Sequence, residues 1–537
     1  MATSSRVRGA VVVWVLAILM AGCGGGFIRV DGGTIAGAPS STDSEVMAYR
    51  GIPFAAPPVG DLRWKPPQPV GPWGGVLQAD SYGSVCPQLP YAEDSFWSRL
   101  QQYPPSEMSE DCLYLNVWAP ADPPAERLPV MVWIHGGGLT KGSGTRVGYD
   151  GTALVRRGVV LVTINYRLAA FGYLAHSGLS AESEHGSSGN YGVLDQIAAL
   201  EWVQRNIANF GGDPERVTIF GESAGSTSVC LLMATPLAEG LFHLAIGQSG
   251  GAFGRTVLLD EEFGGRPSHE AVGEAFAADL VGEGGATVED MRAASTQQVL
   301  ETYERLGGRA YGITRAVVDG WVLPDDVDTV FAEGRQHDVP VIVGSNADEG
   351  PPLYERWVPK DSAAYAEYVN TTYGDLAEEF LELYPNGDSA TIWDSYLRSR
   401  GQGRFAWTMN NWARQMENVT SNAWLYHFTH VPPIPDANRY GAYHAGEIVY
   451  VFDNLDLAGF DELRESDRKL AALMSQYWVN FAATGDPNGE SLPAWTPFDV
   501  GEEAFMDMAA EPVQGTQLLA GELAFFDLFY AAHAVQQ

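Results

Sequence analysis

The strongest constraint in this sequence is a series of short, nearly unbroken apolar runs rich in β-branched residues, separated by segments of helical periodicity. Val130 to Ile134, Val159 to Ile164, Val217 to Phe220 and Val339 to Val343 each place apolar side chains on both sides of an extended backbone. Strands of this kind suit a parallel sheet that helices cover on both faces. Between them, Leu194, Ile197, Ala198, Leu200, Trp202 and Ile207 fall at helical spacing. The alternation predicts an α/β chain with a central, mostly parallel sheet flanked by helices. No internal repeat, low-complexity tract or long linker divides the 537 residues, which predicts a single large domain. With 15 Trp, 23 Tyr and 22 Phe, the chain has ample bulk for a large core and is not a disordered one.

The first residues stand apart from this pattern. Arg6 and Arg8 precede an apolar run from Ala10 to Ala21, the length of a secretory signal and short for a bilayer-spanning helix. The run closes on Met20-Ala21-Gly22-Cys23, which resembles a bacterial lipobox and marks Cys23 as a lipid-anchor cysteine. Residues 1–22 are then expected to be a signal peptide, 23–27 the anchor and a glycine tether, and 28–537 the single large α/β domain. The expected location is the cell envelope or beyond it, with membrane contact only through that anchor. Of the other cysteines, Cys230 lies in an apolar stretch and reads as a small hydrophobe. Cys86 and Cys112 sit in polar surroundings and could close a loop; for such a loop the chain-entropy gain is ~3.5 kcal/mol.

Charge excludes one class of partner. Against 32 Lys and Arg stand 67 Asp and Glu, a formal net charge of −35, which repels phosphate backbones and argues against nucleic acid. There is no phosphate-binding glycine loop, no dinucleotide fingerprint and no His-Glu-x-x-His pair, so no cofactor and no metal are expected.

The chemistry-bearing motif is Gly221-Glu222-Ser223-Ala224-Gly225, placed between the run ending at Phe220 and a helix-compatible stretch reaching Met233. A serine on a tight strand-to-helix turn has its hydroxyl lifted clear of the sheet, and the helix N-terminus favours negative charge beside it. Upstream, His135-Gly136-Gly137-Gly138 follows the run ending at Ile134 and leaves backbone N–H groups open to a developing oxyanion. A serine nucleophile needs a base, and the base an orienting acid. Among ten histidines, His444 lies in a small-residue loop, Gly441 to Gly446, that reads as free to carry a mobile imidazole. For the acid, Asp348 and Glu349 both follow the run ending at Val343, and spacing does not choose between them. The order serine, acid, histidine is that of the α/β-hydrolase arrangement.

These residues, together with Tyr49-Arg50-Gly51-Ile52-Pro53-Phe54-Ala55, Arg63-Trp64, Glu110-Asp111-Cys112-Leu113-Tyr114-Leu115-Asn116, Asn165-Tyr166-Arg167 and Phe210-Gly211-Gly212-Asp213-Pro214, resemble the type-B carboxylesterase family, which includes the cholinesterases. The resemblance runs from about Phe27 to the end and implies an α/β-hydrolase fold and hydrolysis of small-molecule carboxylic esters. It implies Ser223 as nucleophile, Glu349 rather than Asp348 as acid and His444 as base. It further implies the N–H groups of Gly137, Gly138 and Ala224 as oxyanion hole, and a Cys86–Cys112 disulfide. Two positions depart from the family pattern. Leu139 stands where Phe is usual, and Trp97 lies in the disulfide loop at a spacing unlike that of the choline-binding tryptophan. Non-catalytic adhesion proteins share this fold but lack a triad member, whereas every triad position is filled here.

Overall fold

The computed structural model describes residues 26–534 apart from 94, 101–103, 105, 255, 283–286, 309–311 and 461. The proposed signal segment and Cys23 therefore lie outside the described residues. Near the N-terminus, β1 (Phe27–Val30), β2 (Gly33–Ala36) and β5 (Val76–Gln78) form a small three-stranded sheet. The remaining strands build one eleven-stranded sheet. They are β3 (Ala38–Pro39), β4 (Val46–Pro53), β6 (Tyr114–Pro120), β7 (Leu128–Ile134), β8 (Val160–Ile164), β9 (Gly212–Glu222), β10 (Leu244–Gln248), β11 (Val341–Asn346), β12 (Ala423–Phe428), β13 (Ala504–Asp507) and β14 (Val513–Thr516). Their spatial order is β3-β4-β6-β8-β7-β9-β10-β11-β12-β13-β14. From β8 to β13 every neighbour is parallel, and the antiparallel pairs sit at the two margins.

The apolar runs became the central strands. All residues of β8, β10, β11 and β12 are buried, because helices cover both faces and leave no position for a polar outward row. The helix anticipated from Leu194 onward spans Tyr191–Asn206, and the stretch after Ser223 forms the helix Ala224–Ala234, in which every residue is buried. A helix wrapped by protein on all sides carries no solvent-facing polar stripe, and the hydroxyls of Ser226, Thr227 and Ser228 here make hydrogen bonds within the protein. The sequence reading did not anticipate β10 or the antiparallel strands, whose short, mixed sequences carry little periodic signal.

Candidate active site

Parallel strands point their C-terminal ends in one direction, and four of the predicted site segments lie at that edge of the sheet. The glycine loop follows β7, Ser223 follows β9, Glu349 follows β11, and His444 lies in the region beyond β12. This is the crevice where open α/β sheets bind ligands.

Ser223 has φ 58° and ψ −116°, a conformation a non-glycine residue holds only where its surroundings enforce it, at ~1–3 kcal/mol. Its N–H donates to Gln248 O at 2.8 Å, and the helix Ala224–Ala234 starts immediately after it. Gly225 makes the turn possible: a Cβ there would stand 2.0 Å from Ile134 O, so only glycine lets this helix approach β7. In the glycine loop, Gly137 and Gly138 have φ of 105° and 69°. The Gly137 carbonyl accepts from the N–H groups of Thr140 and Lys141, which fixes the turn. Among the described residues, the N–H groups of Gly137, Gly138 and Ala224 donate to no protein acceptor. His135, at the head of this loop, stacks on Tyr166 at 4.4 Å; burial pushes its pKa down to about 4, so it is a neutral structural residue.

The structure distinguishes the two neighbouring acids. His444 Nδ1 donates to Glu349 Oε2 across 2.5 Å, while Glu349 Oε1 accepts from Asn346 N at 2.8 Å. Asp348 turns the other way, and its Oδ2 accepts from Ala442 N at 2.9 Å. It thereby pins the loop that carries the imidazole. That loop differs from expectation: it is buried, not mobile, with His444 only 3% exposed and Tyr443 O held by Asn346 Nδ2 at 2.8 Å. Small residues at Gly441, Ala442 and Ala445 serve close packing; a Cβ on Gly441 would meet the Asp348 carboxylate at 2.1 Å.

Two buried acids that the sequence reading passed over also face the imidazole or its neighbours. Glu222 Oε1 lies 3.1 Å from His444 Nε2, off the N–H axis, so the contact is one of charge without a hydrogen bond. Glu447 accepts from Asn346 Nδ2 at 2.6 Å and from Gln248 Nε2 at 2.9 Å. Burial opposes charging of His444, but the carboxylates of Glu222 and Glu349 outweigh it and raise the pKa above the ordinary 6.5. Burial likewise raises Glu222, to about 8. The Ser223 hydroxyl makes no hydrogen bond among the described residues; Nε2 has the Glu222 carboxylate beside it instead. Serine–histidine contacts commonly tighten only when substrate fills the site.

Aromatic groups close the wall around the imidazole. Phe405 lies 4.7 Å from the His444 ring, and Trp97 stands edge-on to it at 6.2 Å. Trp97 thus reaches the site despite its spacing in the disulfide loop. Phe405 belongs to a π-helical turn, Gln402–Ala406, between the helices Ser389–Gly401 and Trp407–Gln415. Such turns concentrate at functional sites because the extra residue re-aims neighbouring side chains. A cavity of about 490 Å³ opens beside Ser223, with Leu139, Ala224, Leu231 and Phe405 among its lining. Leu139 therefore does form pocket wall. Cys86 and Cys112 are disulfide-bonded, and Cys230 is a buried free thiol.

The description "Carboxylesterase family" matches residues 25–526. The chain belongs to the carboxylesterase family. Relatives include the fumonisin B1 esterase of Sphingopyxis macrogoltabida, 39% identical over 87% of this chain and 84% of that protein. The para-nitrobenzyl esterase of Bacillus subtilis (strain 168) is 35% identical over 84% of this chain and 89% of the other. Human cocaine esterase is 36% identical, covering 90% and 87%. A solved PNB esterase structure superposes with a TM-score of 0.79 at 31% identity, covering 93% of this chain and 99% of that one. The carboxylesterase chain thus has the α/β-hydrolase fold expected from its motifs.

Proposed function

We propose that this carboxylic ester hydrolase works through an acyl-enzyme formed on Ser223. Ser223 Oγ attacks the ester carbonyl carbon as His444 Nε2 takes its proton, and the oxyanion is received by the N–H groups of Gly137, Gly138 and Ala224. Collapse expels the alcohol, which leaves with the proton from His444. Water, deprotonated by the same imidazole, then releases the carboxylic acid. Glu349 orients the ring and stabilises the imidazolium. The observation that carries this reading is the strained Ser223 turn beside free N–H donors, with the Glu349–His444 hydrogen bond at its edge. An organophosphonate ester is expected to inactivate the enzyme and add its mass to Ser223 alone. Mapping of the adduct to another serine would overturn the assignment.

The carboxylates around His444 set the pH dependence. Only the neutral imidazole is a base, so kcat/KM should be high above its pKa and fall as pH drops through it. The attraction of Glu222 and Glu349 places that limb above 6.5, higher than the limb near pH 6 that an unperturbed histidine would give. Glu222→Gln removes one of these charges and should move the limb downward. A profile flat to pH 5, or a limb unmoved in Glu222→Gln, would contradict this account.

We also propose that Cys23 carries a lipid anchor, since it ends an apolar leader and precedes a glycine tether. Two or more acyl chains hold a protein at a membrane where one does not. The full-length protein made in bacteria should incorporate radioactive palmitate and sediment with membranes, and Cys23→Ser should take up no label. A soluble, unlabelled wild type whose N-terminus begins beyond Cys23 would refute the anchor.

A further inference from the structure

The cavity beside Ser223 has an electrostatic character opposite to that of the chain. The protein carries 67 acidic against 32 basic residues, yet among the described residues Arg266, Arg315, Arg400 and Arg404 all line this one cavity, against a single carboxylate, Asp326. Asp326 is occupied: Oδ1 accepts from Thr329 N at 3.0 Å and Oδ2 from Thr329 Oγ1 at 2.6 Å, capping the helix Val327–Ala332. Arginines elsewhere are commonly tied to acids, as in Arg63–Glu110, Arg167–Asp195 and Arg414 with Glu503 and Asp527. Arg400 is not. It forms no ion pair among the described residues, its Nε is buried without a hydrogen-bond partner, and its guanidinium lies 4.9 Å from the Tyr354 ring. Four residues on, Arg404 sits on the π-helical turn with its guanidinium 5.5 Å from the Phe405 ring, the ring that packs on His444.

A guanidinium that no acid meets among the described residues, as at Arg400, is unfavourable in a half-enclosed cavity unless an anion joins it, and the planar fork of arginine fits a carboxylate with two parallel hydrogen bonds. The apolar lining from Leu139, Leu231, Val257 and Leu323 suits a carbon chain between that anion and the reacting carbonyl. From this geometry we propose that the enzyme acts preferentially on esters bearing at least one additional free carboxylate, held by Arg400 and Arg404 and aided by Arg266. This deepens, and rests on, the reading of Ser223 as the site of ester hydrolysis.

The test compares matched esters in dilute buffer. Mono-4-nitrophenyl adipate is set against 4-nitrophenyl hexanoate, and 4-carboxyphenyl hexanoate against phenyl hexanoate, which places the charge on either side of the scissile bond. In at least one pair the carboxylate member should have kcat/KM about tenfold or more above its neutral partner. The advantage should shrink as salt is added. Arg400→Gln and Arg404→Gln should each cut that ratio by about tenfold. Should either fail to fold, Arg266→Gln, at an exposed position, is expected to lower the ratio in the same direction. Neutral esters hydrolysed at least as well as carboxylate ones in both pairs, or ratios unchanged in the arginine variants, would overturn the proposal and leave ester hydrolysis standing. Failure of every ester would instead overturn the reading on which it rests.

Discussion

Replacing Ser223 by alanine should lower turnover on any ester by ~10⁴-fold or more and leave the fold intact. The hydroxyl makes no hydrogen bond among the described residues, so no protein partner is stranded by its removal. Strain enters with the backbone, since φ is 58° at this position, and alanine inherits the same strain. Thermal unfolding should therefore stay close to wild type while activity disappears. The comparison is a stability scan beside turnover on 4-nitrophenyl acetate, with protein purified free of wild-type enzyme. Retention of more than a few per cent of activity would remove Ser223 from the mechanism.

Glu349→Gln should give the second large loss, ~10⁴-fold in kcat, with Asp348→Asn far milder. The hydrogen-bond pattern gives the reason. Glu349 accepts from His444 Nδ1 at 2.5 Å, and in the proposed mechanism its carboxylate stabilises the imidazolium that forms when the base takes the serine proton. A glutamine cannot supply that charge, and it presents an amide donor that favours the wrong tautomer. Asp348 accepts only a backbone N–H, from Ala442 at 2.9 Å, and an asparagine oxygen can still do so. The two variants measured side by side on one substrate decide between the neighbours; a reversed order of losses would reassign the acid.

Which of these neighbours faces the histidine shows where sequence reading ends. The elbow serine and the glycine loop were legible because local backbone needs fix them. A strand must turn into a helix within one residue, and a Cβ at Gly225 would collide with Ile134 O. The central strands were legible because burial on both faces demands unbroken apolar runs, as in β8 and β11. His444 was found from its loop, but the small residues that suggested mobility proved to serve tight packing over Asp348.

The sequence by itself determined the α/β architecture, the serine on its turn and the N–H donors upstream, since each depends on residues within one turn or one strand. Only the tertiary structure decided the electrostatics. Glu222 and Glu349 became neighbours of the imidazole through the packing of separate segments, and the pKa of His444 rises because of charges that no local spacing encodes. The arginines of the cavity likewise come from three distant stretches, at 266, 315 and 400–404, brought together in a chain whose net charge of −35 points the other way. Hydrophobic periodicity is a local signal, whereas Coulomb interactions act through space and depend on which segments folding brings within a few ångströms.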